Sequence, residues 1–491
     1  MLFNTFNFFV FFTIFFICWM LFPTKLKWIS LLIGSIYFYC VASSILILVP
    51  IIICLITYLC SMQINKFKVS HVLFWAIVFI IVCFLLYYKY LNSFIDFAGL
   101  SLLSHFSVAV PIGISYFTFQ AIGYLIDLKN NQIAVERNIL KLFLYLIFFT
   151  KIIAGPVERA GVFLSQINQP SKLSYSNFSI GIKLILLGLF KKVVLGDRLN
   201  LLISPVFADL TSNEGMPIIL VSFIFPLQLY MDFSGYTDMA RGFSKILDIN
   251  LTENFNSPFS STTLTEFWRR WHISLSSWFN EYVFKPLTIS TRNWNQIGLL
   301  VSLVITFAII GVWHGPTMGY LVYGVLIGLI VFLETASRKT RKKIAKRMNE
   351  KVVKIIGHAY FYLIIVFLFL FIKTETLPQY TNVIRSMSKI ELVKDAKDTF
   401  EHFVHGKPFS STKFNTFTYI GNLLKDYNIR AIFITFFFLL LLNTIRDNRI
   451  SLFNRAKKIT LVKQCGYIIL LLLIMQFGLF HNTSEFLYFK F

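Results

Sequence analysis

Charged residues are scarce in this sequence, at 14% of its 491 positions, whereas soluble domains average about 25%. They fall in short clusters between long apolar runs, and hydrophobic residues, including 56 phenylalanines, make up 56% of the chain. A chain of this composition cannot hide its apolar surface from water by folding on itself. The composition therefore excludes a soluble globular protein and predicts an integral membrane protein.

Acidic residues are the rarer of the two charged classes, with 23 Asp and Glu against 46 Lys and Arg and a net charge of +23. In a soluble protein this imbalance would indicate a nucleic-acid partner. Here the basic residues flank apolar runs, which is typical of cytoplasmic loops that meet anionic lipid headgroups. We expect membrane lipids and no nucleic acid as partners. A basic cytoplasmic face would also suit an acidic acyl carrier protein.

Cysteine is also scarce, and the six cysteines lie in or at the edge of apolar runs. They are interpreted as packing thiols rather than as a disulfide set or a zinc site. No basic residue precedes the apolar run from Phe6 to Phe22 and no small-residue cleavage site follows it, so we expect a retained first span. No internal repeat of the kind that marks many transporters is evident.

Apolar runs of about 20 residues predict transmembrane helices. Candidate segments are 6–22, 29–60 (two short helices), 70–88, 106–126, 139–155, 178–196, 216–232, 297–312, 316–334, 355–372, 429–444 and 464–481. The prediction is an all-α polytopic protein with roughly 10 to 12 crossings, forming one domain over residues 1–491. The densest basic cluster, 336–354, is predicted to be cytoplasmic, and the segment 373–428 extracytoplasmic.

Residues 250–295 are too polar to span a membrane but are rich in aromatic side chains. Aromatic and Arg residues favour the membrane–water interface, so this region is predicted to be an interfacial or re-entrant amphipathic helix. Thr263 and Glu266 form a capping-box pattern at its start, and Pro286 is predicted to end it. On such a helix Trp268 and Arg269 would share a face with His272.

Two histidines stand out. His314 lies in the run Trp313-His314-Gly315-Pro316, which interrupts two apolar spans. An ionisable group there must face the protein interior or a water-filled cavity, and a broken helix is tolerated at that depth only beside a cavity. The alternative is a packed histidine at a helix kink. His272 has a different alternative interpretation, as part of an anchor that binds lipid headgroups together with Arg269 and the neighbouring tryptophans.

Two acids follow directly on an apolar span. Asp232 and Asp238 lie in the run Tyr230-Met-Asp232-Phe-Ser-Gly-Tyr-Thr-Asp238-Met-Ala-Arg241-Gly, and Asp238 can pair with Arg241 three residues later. Acids at this depth are functional candidates. The alternative, a helix cap and a structural ion pair, is favoured over direct catalysis.

These motifs occur in a recognisable order. They are Tyr230-x-Asp232-Phe-Ser-Gly-Tyr-Thr-Asp238, Glu253-Asn254-Phe255, Glu266-Phe-Trp-Arg-Arg-Trp-His272 and Trp313-His314-Gly315. In this order they closely resemble the membrane-bound O-acyltransferase (MBOAT) family, and more narrowly its alginate O-acetylation branch. The resemblance implies a ring of tilted helices around a central tunnel, with His314 as the catalytic histidine and His272 as the second family histidine.

The chain departs from that branch at two places. Ile327 stands where relatives often carry another histidine, and Asn280-Glu281 replaces an expected Arg-Asp pair. No G-x-S-x-G sequence lies near His314, which argues against a Ser-His-Asp route.

The resemblance further implies an O-acyltransferase of the cell membrane, most simply an O-acetyltransferase acting in polysaccharide O-acetylation. It would have no tightly bound cofactor or metal, acetyl-CoA or an acyl carrier protein as donor, and a separate SGNH-type extracytoplasmic acyltransferase as partner. One alternative is a D-alanyl transferase for teichoic acid that uses a carrier protein. A different class of alternative is a transporter or lipid flippase, for which intramembrane acids and many spans would also serve.

Overall fold

The computed structural model describes residues 1–66, 70–97, 108–211, 213–389 and 456–480. Within these residues the chain is helical and contains no strand. The helices are α1 Phe6–Leu21, α2 Lys27–Ser43, α3 Leu48–Lys66, α4 His71–Phe97, α5 Ile114–Lys129, α6 Ile139–Ile147, α7 Phe149–Ile152, α8 Ala160–Ile167, α9 Tyr175–Leu189, α10 Asp197–Ala208, α11 Met216–Ile246, α12 Leu264–Trp268, α13 Ile273–Phe279, α14 Lys285–Ser290, α15 Asn295–His314, α16 Met318–Ala336, α17 Arg338–Ala345, α18 Glu350–Thr374, α19 Leu377–Met387 and α20 Ala456–Phe477.

Several of these helices are long and apolar enough to cross a membrane. In the described part of the chain there are six such stretches: Thr24–Ile64, His71–Ile95, Met216–Ile246, Arg292–His314, Met318–Ala336 and Glu350–Thr374. Two shorter apolar helices, Phe6–Leu21 and Gly466–Phe477, add to them. The prediction of an all-α polytopic membrane protein is confirmed. The predicted span 429–444, and all of 373–428 beyond residue 389, lie outside the described residues.

Some predicted spans are divided in the structure. The run 29–60 forms two helices, α2 and α3, as predicted, and a 3₁₀ turn at Ser44–Ile47 joins them. The run 139–155, predicted as a single span, is instead the nine-residue α6 and the four-residue α7. They are separated because Phe148 has a ψ of 116°, outside the helical region. Likewise, 178–196 is α9 followed by a π-helical turn at Phe190–Gly196.

The chain divides into two compact units, and both candidate histidines belong to the first one. That unit comprises Met1–Ile185, Tyr236–Pro316 and Gly324–Gly357. Within it, α15 and α16 pack closely at Gly324. A Cβ at this position would lie only 2.2 Å from the carbonyl oxygen of Phe307, so the close approach requires glycine. The prediction of one domain over the whole chain stays a prediction.

A buried carboxylate on α16 fixes the start of the interfacial region in the first unit. Glu334 accepts hydrogen bonds from the backbone N–H groups of Leu264 and Thr265, both at 2.8 Å. The first N–H groups of a helix lack intrahelical partners and favour negative charge. Thr263 also caps α12, because its hydroxyl accepts from the N–H of Glu266 at 3.2 Å. The predicted helix start at Thr263 is confirmed.

The second unit comprises Leu186–Gly235, Thr317–Tyr323 and His358–Phe491, and it contains a buried ion cluster. The Lys192 ammonium lies 2.8 Å from the Asp197 carboxylate and 2.6 Å from that of Asp232, and all three side chains are almost fully buried. The lysine stands in the π-helical turn that precedes α10. Asp232, a candidate from the sequence, is therefore engaged with a cation inside this unit.

Replacing Lys192 by methionine is expected to destabilise the protein by about 3–5 kcal/mol, because it leaves two buried carboxylates without their cation. The measurement is thermal or denaturant unfolding of the purified protein in detergent. The control is Lys354→Met, which removes an exposed ion pair with Glu350 and should leave the midpoint unchanged. Equal stability of the Lys192→Met variant and the wild type would show that the cluster contributes nothing.

Candidate functional site

His314 is the last residue of α15 and only 5% of its side chain is exposed. The helix ends there because Gly315 has an extended backbone, with φ −178° and ψ 161°, and Pro316 lacks an N–H with which to continue it. The indole of Trp313 meets the imidazole, with ring centroids 4.8 Å apart. The structure therefore places this histidine inside the protein at a helix end.

His272 is 1% exposed and has a left-handed backbone, with φ 43° and ψ 53°. It lies between α12, which ends at Trp268, and α13, which begins at Ile273. The predicted single helix through this region is therefore wrong, and His272 does not share a helical face with Trp268 and Arg269. Pro286 does not end the helical run either, because the π-helical turn Asn280–Phe284 leads directly into α14, in which Pro286 is the second residue.

The left-handed conformation of His272 is held by residues 254–256. The N–H of Ile273 donates to the Asn254 carbonyl at 2.9 Å, and the N–H of Asn256 donates to the Arg270 carbonyl at 3.0 Å. The Asn254 side-chain oxygen accepts from the N–H and the hydroxyl of Ser274, at 3.3 and 2.6 Å. These bonds fix the backbone on both sides of the histidine, so its unusual geometry is set by tertiary contacts.

The His272 imidazole is surrounded by protein. Because burial disfavours the charged form, it lowers the pKa of His272. The ring is therefore neutral at pH 7 and presents one N–H donor and one acceptor nitrogen. His272 and His314 lie close enough that a charge on one ring would be felt at the other. The structure thus brings both predicted histidines into one electrostatic neighbourhood of the first unit.

The same unit contains a cavity of about 450 Å³ that neither histidine lines but that residues near both of them do. Ile273, which follows His272, and Ile310, one turn before His314, both line it. The other lining residues are Thr265, Trp268, Arg269, Ser276, Ser277, Phe279, Asn280, Phe284, Leu303, Thr306, Phe307 and Val331. Apolar walls with a few polar side chains are typical of small-molecule sites.

Trp268 and Arg269, predicted to support the site, both line this cavity. Trp268 packs on Phe307 across it, with ring centroids 5.4 Å apart, and its buried indole N–H donates to no described residue. The Arg269 side chain is exposed. The two residues therefore bring an indole N–H donor and a positively charged guanidinium to the cavity.

The second candidate acid, Asp238, belongs to the first unit, and 12% of its side chain is exposed. Its carboxylate is 3.5 Å from the Arg241 guanidinium, which also lies 3.2 Å from Glu253. This chain of charges is partly exposed. This geometry fits a structural ion network, which is the alternative to direct catalysis given above for Asp238 and Arg241.

The positions where the sequence departs from its relatives also have clear partners. Glu281 pairs with Arg159 at 2.7 Å, and the neighbouring Tyr282 hydroxyl donates to Asp127 at 2.6 Å. Asn280 lines the cavity. Ile327 is completely buried, so an apolar side chain suits its position.

Two residues of α4 escaped the sequence interpretation. The Lys89 ammonium donates to the carbonyl of Trp313, and the Tyr90 hydroxyl donates to that of Val312 at 2.8 Å. Both carbonyls directly precede His314. The available signal was a lysine within an otherwise apolar span, since an intramembrane ionisable residue is a functional candidate.

Similarity to known proteins extends over most of the chain. The family model of the membrane-bound O-acyltransferases matches residues 32–372, which include both histidines and every described residue that lines the cavity. The chain belongs to the membrane-bound O-acyltransferase family.

Three relatives show the range of activities within this family. The probable alginate O-acetylase of Pseudomonas syringae is 33% identical over 273 residues, covering 53% of this chain and 52% of that protein. The peptidoglycan O-acetyltransferase of Helicobacter pylori is 31% identical over 354 residues, covering 65% and 63%. The teichoic acid D-alanyltransferase of Bacillus subtilis is 30% identical over 239 residues, covering 47% and 60%. The matched regions thus span about half to two thirds of each relative.

Proposed function

We propose that this MBOAT protein passes an acyl group, most simply acetyl, across the cell membrane for O-acetylation of an extracellular or envelope polysaccharide. The observation that carries the proposal is the pair of buried histidines, His314 and His272, within electrostatic reach of each other and beside the cavity. Acyl transfer to a hydroxyl needs a base for the hydroxyl proton and a donor for the carbonyl oxygen. The two imidazoles can fill these two roles.

In the proposed mechanism His314 is the general base. Its imidazole takes the proton of the acceptor hydroxyl while the hydroxyl oxygen attacks the carbonyl carbon of a thioester donor. The C–S bond then breaks, and the leaving thiolate receives the proton from His314. His272 donates its ring N–H to the carbonyl oxygen, which carries negative charge in the tetrahedral intermediate. General-base help of this kind contributes about 10²- to 10⁴-fold to a rate.

The cavity is the proposed binding site for the donor. Its apolar wall, with Leu303, Phe307 and Val331, suits an acyl thioester chain, and Arg269 and the Trp268 N–H suit polar groups along it. Acetyl-CoA and an acyl carrier protein both present such a chain. Asn280 lies at the same cavity, although the branch it resembles carries arginine there.

Replacing Ser276 by phenylalanine is expected to raise the KM for the donor about tenfold, equivalent to about 1.4 kcal/mol of binding. Ser276 lines the cavity, so the larger ring occupies volume that the donor needs. The measurement is initial-rate kinetics with purified protein. Ser165→Phe is the control, because Ser165 is exposed on α8 and lies outside the cavity. An unchanged KM would remove the cavity from the donor site.

D-alanyl transfer to teichoic acid is the second candidate, favoured by the 30% identity with the Bacillus subtilis D-alanyltransferase. The two candidates differ in their donor. Purified protein incubated in parallel with acetyl-CoA, an acetylated carrier and a D-alanylated carrier would separate them. We expect loss of donor thioester with an acetyl donor alone, and turnover of the D-alanylated carrier alone would overturn the acetyl assignment.

We propose that the partner is a separate SGNH-type acyltransferase on the outer side of the cytoplasmic membrane. The basic helix α17, with no buried residue, would face the cytoplasm and receive an acidic carrier or anionic lipid. The test is the O-acetyl content of the cell-envelope and secreted polysaccharides in strains with and without this gene. We expect the O-acetyl content to fall without it, and identical content in both strains would contradict the proposed function.

A further inference from the structure

Lys89 of α4 contacts the end of α15, next to the proposed general base. Lys89 lies in a helix that is long and apolar enough to span the membrane, where a cation is costly unless a partner or a function retains it. Its ammonium donates to the Trp313 carbonyl and lies 4.8 Å from the centre of the Trp313 ring. Among the described residues, no carboxylate lies within ion-pair distance of this ammonium. Its contacts therefore go to the end of α15.

The end of α15 is a position where such contacts matter. The last carbonyl groups of a helix lack intrahelical partners and carry partial negative charge, so they favour a cation. The Tyr90 hydroxyl binds the Val312 carbonyl at 2.8 Å, and Lys89 binds the next carbonyl along the chain. Two neighbouring residues of one helix thus hold the two peptide groups that directly precede His314.

We propose that Lys89 is a positioning residue for His314, acting with Tyr90 to fix the last turn of α15. The proposal rests on the proposed role of His314 as general base. At this helix end the Val312 carbonyl also accepts the N–H of Gly315 at 3.1 Å, and the two α4 contacts add support from a neighbouring helix to the turn that carries the imidazole. Small displacements of a catalytic group cost large factors in rate, about 10²-fold for a shift of 1 Å.

The alternative is that Lys89 only anchors α4 to α15. An anchor would affect the amount and stability of the protein and would leave the catalytic rate of the folded fraction unchanged. A positioning residue would lower kcat of the folded protein and leave the donor KM unchanged, since Lys89 does not line the cavity. Arginine, which keeps the charge and the N–H donors, would restore a positioning function in part.

The test compares Lys89→Met, Lys89→Arg and Tyr90→Phe with wild type as purified protein in detergent, using acetyl transfer from a thioester donor. We expect kcat to fall about 100-fold for Lys89→Met, with KM within a factor of two, and the arginine variant to recover most of the loss. Tyr90→Phe, which removes one hydroxyl, should lower kcat about tenfold. The control is Lys141→Met, which removes a half-buried lysine of α6 that is bound to Asn168.

The outcomes separate this inference from the proposed function. Wild-type kcat in Lys89→Met and Tyr90→Phe, with His314→Ala inactive, would overturn the positioning role alone. Activity retained by His314→Ala would overturn the proposed function itself. If Lys89→Met does not accumulate, Tyr90→Phe and Lys89→Arg decide: unchanged kcat in Tyr90→Phe would overturn the inference, and a lowered kcat at unchanged KM would support it.

Discussion

Replacing His314 by alanine is expected to lower the rate of acyl transfer by about 10²- to 10⁴-fold, while the protein accumulates in the membrane as the wild type does. The side chain is 5% exposed at the end of α15. Without a base, the acceptor hydroxyl keeps its proton and remains a poor nucleophile. The measurement is the rate of acetyl transfer at matched protein abundance.

The matched control for this variant is His71→Ala. His71 is an exposed histidine at the start of α4, where it accepts a hydrogen bond from Trp75 at 3.1 Å. Removing an imidazole there should leave transfer unchanged, which excludes a general effect of histidine loss. Activity of His314→Ala equal to that of His71→Ala would show that His314 is only a packed histidine at a helix end.

Replacing His272 by alanine is expected to lower the rate by about 10²- to 10³-fold, the usual cost of removing one donor to a developing oxyanion. Asparagine at the same position should lose less, because its amide can donate a hydrogen bond and it tolerates the left-handed backbone seen at φ 43°. The measurement is kcat for both variants together with their thermal stability in detergent.

The asparagine variant distinguishes two roles of His272. If the histidine polarises the donor carbonyl, asparagine retains an intermediate rate; if it transfers a proton, asparagine and alanine lose equally. A third variant, Asn254→Ala, removes the side-chain bonds to Ser274 and should lower kcat at an unchanged His272. Full activity in all three variants would exclude His272 from the reaction.

Much of the fold could be predicted from the sequence because long apolar runs require lipid as their solvent. The spans that became α4, α15, α16 and α18 are continuous hydrophobic stretches, and the structure has helices at each. The division at Phe148 could not be predicted, since no Gly or Pro marks it and the flanking residues are buried on all sides. Tertiary packing there overrides the hydrophobic pattern.

The candidate site was predictable where a local pattern determined it. His314 followed from a histidine beside Gly315 and Pro316, a pattern that itself ends a helix. The conformation of His272 could not be predicted, because its left-handed backbone depends on hydrogen bonds that Ile273 and Ser274 donate to the distant Asn254. The helical pattern of residues 263–286 gives no sign of these bonds. The contact between Lys89 and the Trp313 carbonyl could not be predicted, because the sequence does not show which helix end lies beside α4.

The central claim, that His314 and His272 act in one acyl-transfer centre, is tested most directly by a double-mutant cycle. Acetyl transfer is measured for His314→Ala, His272→Ala and the double variant at matched abundance. Residues that act as a unit give strongly non-additive losses, so the double variant should lose no more than His314→Ala alone. A loss equal to the product of the two single losses, or wild-type transfer by His314→Ala, would contradict the claim.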